Sequence, residues 1–241
     1  MSVTKLKPAK TPPMRLPATQ FWGLCVVIFM VMQIPFVRVP VMFLSTWAHE
    51  LGHGLGALMT GGEFYKLTIY PNFSGLAQTA SWSAFSRAAT IIVGLMGPTI
   101  LGVIMIFLTR ALSAYRFTLL LLAALLALSL FRAADGFTFI TLSVSAGLFA
   151  LAGWRLPHRV LLYVTTIIAI ALCLNALTSF GYFFIGGGEV GGRLYRSDTG
   201  VLADLWFGPH WLWGLWLAFF SILILFAGVI LSDRWARKRS A

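Results

Sequence analysis

Charge is what this chain has least of. Only 10% of its 241 residues are charged, against about 25% in an ordinary soluble domain. Hydrophobic residues make up 59%, and the mean hydropathy is +0.87. A chain with so little polar surface to offer water is expected to bury its apolar surface in lipid. Cysteine is nearly absent too: Cys25 and Cys173 each lie inside an apolar run. That excludes a disulfide framework and a CxxC metal pair, and both read as small buried hydrophobes. Acids are scarcer still, at seven against 18 Lys and Arg, leaving a net charge of +11. The excess is not spread over a soluble face, as nucleic-acid binding would require. Lys5, Lys7, Lys10 and Arg15 precede the first apolar run, while Arg234, Arg237, Lys238 and Arg239 follow the last. Basic flanks on apolar spans mark cytoplasmic ends. The expectation is a multi-pass protein of the bilayer, in a bacterial inner membrane, with both termini cytoplasmic and no nucleic-acid partner. No small-residue cleavage site follows the stretch that opens at Phe21, so that stretch is expected to be retained as a span.

What is present in abundance is apolar sequence. Seven runs stand out: Phe21–Val37, Val41–Met59, Ala88–Leu108, Phe117–Phe131, Phe137–Gly153, Val160–Phe183 and Trp211–Leu231. A span needs about 20 residues, within a range near 17–25, and two of the runs, Phe117–Phe131 and Phe137–Gly153, are short. Termini on one side demand an even number of crossings. Six result if 117–153 crosses only once, with a break near Asp135 buried in protein. The fold expected is therefore an all-α polytopic membrane protein of about six transmembrane helices. A basic disordered arm at 1–20 and a basic tail at 232–241 would flank one domain at 21–231. Between the second and third runs, Glu63–Tyr70 and Phe73–Thr79 are rich in strand formers and separated by Pro71-Asn72. That pattern predicts a short β-hairpin. Residues 184–209 are glycine-rich and polar and read as an exposed loop.

The chemistry concentrates in Trp47-Ala-His-Glu-Leu-Gly-His-Gly-Leu-Gly-Ala-Leu-Met59. Positions four apart share a helix face, so His49 and His53 can aim both imidazoles at one Zn²⁺. Glu50, one residue along, is placed to act as general base on a water held in the metal's open position. The motif sits within an apolar run, where a carboxylate costs about 2.5–3.5 kcal/mol on insertion scales. A bound cation offsets that cost; simple helix packing does not. Ala48, Gly52 and Gly56 form a stripe of small residues at four-residue spacing, which lets a neighbouring helix approach closely in lipid.

Catalytic zinc takes three protein ligands and one open position. His158 and His210 lie at span ends, and Glu63, Glu189, Asp204 and Asp233 in loops or the tail. Asp135 and Asp198 remain. Asp135, in Arg132-Ala-Ala-Asp-Gly-Phe137, falls where a break in the span is expected, so depth favours it as the third ligand. Its alternative role is an interfacial acid paired with Arg132. Asp198, in Arg196-Ser-Asp-Thr199, reads as an N-cap opening a short helix before Leu202.

These residues resemble the site-2 protease family of intramembrane zinc metallopeptidases, and within it a small bacterial and plant-like branch. The resemblance rests on His49–Gly62 (HELGHGLGALMTGG), the Pro71-Asn72, Ser74-Gly75 and Gln78-Thr79 blocks, Gly94-Leu-Met-Gly-Pro98, and Ser197-Asp198. It spans most of the chain from about Thr46 to Ser221. It implies that His49 and His53 bind zinc, that Glu50 is the base and that Asp135 completes the site. Two features depart from the family pattern: Leu-Phe-Arg-Ala-Ala stands before Asp135-Gly136 where an Asn-Pro stretch is usual, and no asparagine follows Gly97-Pro98. The loop at 60–87 is too short for a substrate-gating domain.

The function expected is zinc-dependent endoproteolysis of a transmembrane or juxtamembrane segment of another membrane protein. The alternative is a non-catalytic metal-binding membrane protein: a receptor, regulator or carrier. A carrier should spread polar positions along its bundle, and the spans offer few, namely Gln33, Asn175, Thr178 and Ser179. Scaffolding alone gives no reason to keep an acid at Glu50. The sequence sets no oligomeric state.

Overall fold

The computed structural model describes residues 15–178 and 185–240. Most of the arm expected at 1–20 lies outside them, as do Ser179 and the end of the run reaching Phe183. The described part of the arm is tied down: Leu16 is buried, and Ala18 opens the first helix.

Among the described residues eight α-helices carry the fold: α1 (Ala18–Val31), α2 (Pro35–Met59), α3 (Ala84–Arg110), α4 (Tyr115–Ser129), α5 (Gly136–Arg155), α6 (His158–Thr178), α7 (Asp198–Leu205) and α8 (His210–Ser240). Five membrane-crossing segments are long and apolar enough by themselves: α3, α4 with the 3₁₀ turn that extends it to Arg132, α5, α6 and α8. A sixth is α1 and α2 taken together as one broken span, bent by 107°. The protein is thus an all-α polytopic membrane protein, as expected, but the break lies elsewhere. The sequence placed it near Asp135; the structure places it at Met32–Ile34. Pro35 takes the first position of α2, where its missing N–H is harmless but its ring forbids a helix running in from α1. Ile34 before it is extended, at ψ 116°, as a residue preceding proline prefers. Near Asp135 the chain instead turns fully between α4 and α5. These are two separate spans of 18 and 20 residues that pack along each other.

The small-residue stripe on α2 does what lipid packing asks of it. A Cβ placed on Gly52 would lie 2.9 Å from the Gly94 Cα of α3, and one on Gly56 would lie 2.9 Å from the Thr90 Cα. Reciprocally, one on Gly97 would lie 2.5 Å from the Ala48 carbonyl oxygen. The pairs 48 with 97, 52 with 94 and 56 with 90 make α2 and α3 antiparallel, backbone against backbone. Ser83 caps α3, its hydroxyl accepting from the Ser86 amide. At the other end of α3, the buried Arg110 guanidinium donates to Asp233 of α8 (2.6 Å) and to the Leu16 carbonyl (3.3 Å), and it stacks over Phe21 of α1. One side chain thereby gathers three helices.

The expected hairpin is present. Strands β1 (Glu63–Ile69) and β2 (Gly75–Ala80) pair antiparallel, with a register irregularity between Phe64 and Lys66. Asn72 shapes the turn, its side-chain oxygen accepting from the Ser74 amide and hydroxyl. The outer edge of β1 is closed by the link into α5: Ala134 donates to the Leu67 carbonyl, and the Ile69 amide donates to the Thr138 hydroxyl. No strand pairs with the outer edge of β2 among the described residues. A second small hairpin, β3 (Gly187–Val190) with β4 (Arg193–Arg196), leads into α7.

Candidate metal centre

Helical spacing alone sets the first two groups. On α2, His49 and His53 stand one turn apart with rings edge to face, centroids 4.6 Å apart, and their Nε2 atoms are 3.0 Å apart. The second ring is held from behind. His53 Nδ1 lies 3.1 Å from the Thr90 carbonyl oxygen of α3. A carbonyl only accepts, so Nδ1 carries the hydrogen and Nε2 presents its lone pair forward. Gly94 makes room for this ring; a Cβ there would collide with the imidazole itself.

The third group comes from the far side of the chain. Asp198, at the first turn of α7, places Oδ2 at 3.0 Å from His49 Nε2 and 3.3 Å from His53 Nε2. Its carboxylate is free to do so because Ser197 caps the helix, the Ser197 hydroxyl accepting from the Gly200 amide at 3.1 Å. Arg196 grips Asp204 through both guanidinium and carboxylate forks, one bond at 3.0 Å, and so ties β4 to α7.

Asp135 stands elsewhere, and the expectation that it joins the two histidines is corrected. It caps α5: Oδ1 accepts from the Thr138 amide and Oδ2 from the Thr138 hydroxyl, each at 2.9 Å. The reading of Asp198 as an N-cap is corrected with it, since Ser197 holds that position. The two aspartates have exchanged the roles expected of them. The local difference between them is the preceding residue: Ala134 leaves the cap of α5 to Asp135, whereas Ser197 takes the cap of α7 ahead of Asp198. The one sequence signal for Asp198 was the Ser197-Asp198 block of the family resemblance. Gly75 and Gly94 were signalled only by the Ser74-Gly75 and Gly94–Pro98 blocks of the resemblance, and Thr90 by nothing, since all three act by position rather than by reactive chemistry.

Glu50 is buried beside this cluster. It faces a cavity of about 1000 Å³ shared by His49, His53, Asp198, Asn72 and the residues of β2. The first residue of β2, Gly75, lies against it: a Cβ there would fall 2.7 Å from Glu50 Cγ and 2.7 Å from the Thr46 methyl, and nearer still to the carboxylate. Thr46 donates to the Phe73 carbonyl at 2.7 Å and pins the hairpin turn to α2.

The donor set fits a zinc ion. Ligands about 2.0–2.1 Å from a tetrahedral centre lie roughly 3.3 Å from one another. The three facing atoms here are separated by 3.0, 3.0 and 3.3 Å. Two imidazoles and one carboxylate form a set of three protein ligands that leaves a fourth position open, as in catalytic zinc sites. Among the described residues this is the one grouping of three such side chains that can close on an ion.

Comparison with known families finds a match over most of the chain. The family described as Peptidase M50B-like covers residues 22–228. Neither the curated proteins nor the solved structures contain a match to the chain.

Proposed function

The chain belongs to the peptidase M50B-like family of site-2 protease-type membrane peptidases, and from that premise we propose that it is a zinc-dependent endopeptidase of the bilayer. Its substrate is a transmembrane or juxtamembrane segment of another protein. The observation that carries this reading is the meeting of His49 Nε2, His53 Nε2 and Asp198 Oδ2 within 3.3 Å of one another, with Glu50 buried in the same cavity.

His49, His53 and Asp198 would hold the ion. A zinc ion held there would supply activation of a water toward deprotonation and polarisation of a substrate carbonyl. Glu50 takes a proton from the attacking water and returns it to the leaving amine. Water is consumed, the peptide C–N bond breaks, and the products are a new carboxylate and a new amine. Burial keeps Glu50 away from competing solvent. The hydrogen bond from His53 to Thr90 keeps that ring in one orientation throughout the cycle. A helical substrate shields its peptide bonds, so the segment must be extended before it is cut. Residues of β2 line the cavity, and its outer edge, which has no strand partner among the described residues, would offer backbone groups to an added strand.

Glu50→Gln separates this reading from a purely metal-binding role. The variant is expected to retain near-stoichiometric zinc after gentle extraction. Its cleavage of a co-expressed transmembrane reporter that the unaltered protein cuts should fall at least about 100-fold. Undiminished cleavage by the variant would overturn the mechanism.

A further inference from the structure

The cavity that holds the two histidines does not end with them. It follows one face of α2, where Arg38, Met42, Ser45, Thr46, His49 and His53 all line it. Their spacing is that of a single helical stripe. At 1.5 Å per residue the stripe extends about 16 Å from His49 to Arg38.

β2 lies along the other part of this stripe. Its first residue, Gly75, rests on Thr46 and Glu50. At its far end the Ala80 carbonyl and the Ala57 carbonyl both stand against Gly62. A strand added to β2 would run past the histidines. Continued beyond Gly75, it would enter the part of the cavity lined by Met42, Met32 and Arg38. Methionine is apolar and adaptable, so the first two set no strict demand on what lies over them. Arg38 does.

Arg38 is costly where it stands. α1 and α2 make one broken span, and Arg38 follows the break by one turn, between Val37 and Val39. Nearby Phe36 is 88% exposed, which on a span means exposed to lipid. A charged side chain in such surroundings is ordinarily paired, and the search for its partner is a search for function. Among the described residues the ion pairs are made by His49, His53, Arg110 and Arg196. The half-buried Arg38 makes none there. The two acids that line the cavity, Glu50 and Asp198, both belong to the metal end. So do the other two arginines of the lining, Arg87, one turn before Thr90, and Arg196, two residues before Asp198.

We propose that Arg38 is a specificity-determining residue: it takes the carboxylate of an acidic side chain on the substrate strand, about five residues from the bond that is cut. The spacing follows from reach, since about 16 Å is divided into steps of 3.2–3.4 Å per extended residue. A guanidinium and a carboxylate join through two parallel charge-assisted hydrogen bonds. The acid thereby sets which bond of an otherwise apolar segment comes to rest at the histidines. This rests on the peptidase reading for the position of the cut, and it is tested by binding rather than turnover.

The probes are apolar peptides carrying a zinc-chelating hydroxamate at one end, made in two series with the hydroxamate at the C-terminus or the N-terminus. The hydroxamate anchors each peptide to the zinc-loaded full chain in neutral detergent, and affinity is read by fluorescence anisotropy. In the series that runs toward Arg38, glutamate at the fifth residue from the hydroxamate should bind at least about tenfold tighter than glutamine there. Glutamate at the second or eighth residue should give no such gain. Arg38→Gln should abolish the gain while leaving affinity for the glutamine peptide unchanged, and Arg38→Glu should transfer it to a lysine at the fifth residue. Equal binding of the glutamate and glutamine peptides in both series, or a preference that survives Arg38→Gln, would overturn the proposal and leave the metal centre standing. Equal binding joined to a loss of thermal stability of Arg38→Gln only in anionic lipid would make Arg38 a headgroup anchor, and overturn it equally. Failure of every hydroxamate to bind would instead overturn the metal-centre reading, and this proposal with it.

Discussion

Two aspartates open two helices in this protein, and only one reaches the histidines. Asp135 precedes Gly136 at the start of α5 and spends both carboxylate oxygens on Thr138. Asp198 sits one residue after a serine whose hydroxyl already accepts the Gly200 amide in the first turn of α7. The difference is one position in the capping register. An aspartate at the cap accepts from its own helix; an aspartate one step inside, behind a capping serine, keeps its oxygens for something else. The lesson is that a carboxylate is freed to face the histidines as much by the neighbour that relieves it of local duty as by its own chemistry.

That contrast can be broken outright. Asp198→Ala should lower zinc affinity by more than the roughly 10–100-fold typical of losing a supporting group, read by competition with a chromophoric chelator. If Asp135→Ala strips the zinc instead, the assignment of the two residues is reversed. A finer probe is Ser197→Ala, which removes the cap and invites Asp198 to replace it. It should weaken zinc by about tenfold and lower stability by about 1 kcal/mol, and Ser197→Thr should restore both. The smallest effect is expected from Asp135→Ala. Zinc content should be unchanged, with a loss of about 1 kcal/mol in detergent-solubilised unfolding from the vacated cap of α5.

The same contrast explains what could be read in advance. His49, His53 and Glu50 are neighbours along one helix, so their meeting follows from a repeat of 3.6 residues. The closeness of α2 and α3 was legible in Ala48, Gly52 and Gly56, because small residues at that spacing have few other uses in lipid. The hairpin was legible in Pro71-Asn72. Asp198 approaches from 145 residues beyond His53, across a glycine-rich loop, and no local pattern encodes such a distance. The misplaced break had a different cause. Pro35 was in plain view, but the parity of crossings directed attention to the two short runs around Asp135. The helix begins at Tyr115, before the apolar run, and its 3₁₀ turn carries on to Arg132, giving 18 residues that can span the bilayer.

Gly75 owes its place to the atoms it does not have. Its bare Cα lets a strand backbone lie on the carboxylate of Glu50, so the start of β2 and the buried acid form one surface. A single added methyl would push hairpin and acid apart without touching a polar group, and a search for essential positions guided by reactivity alone would pass it by.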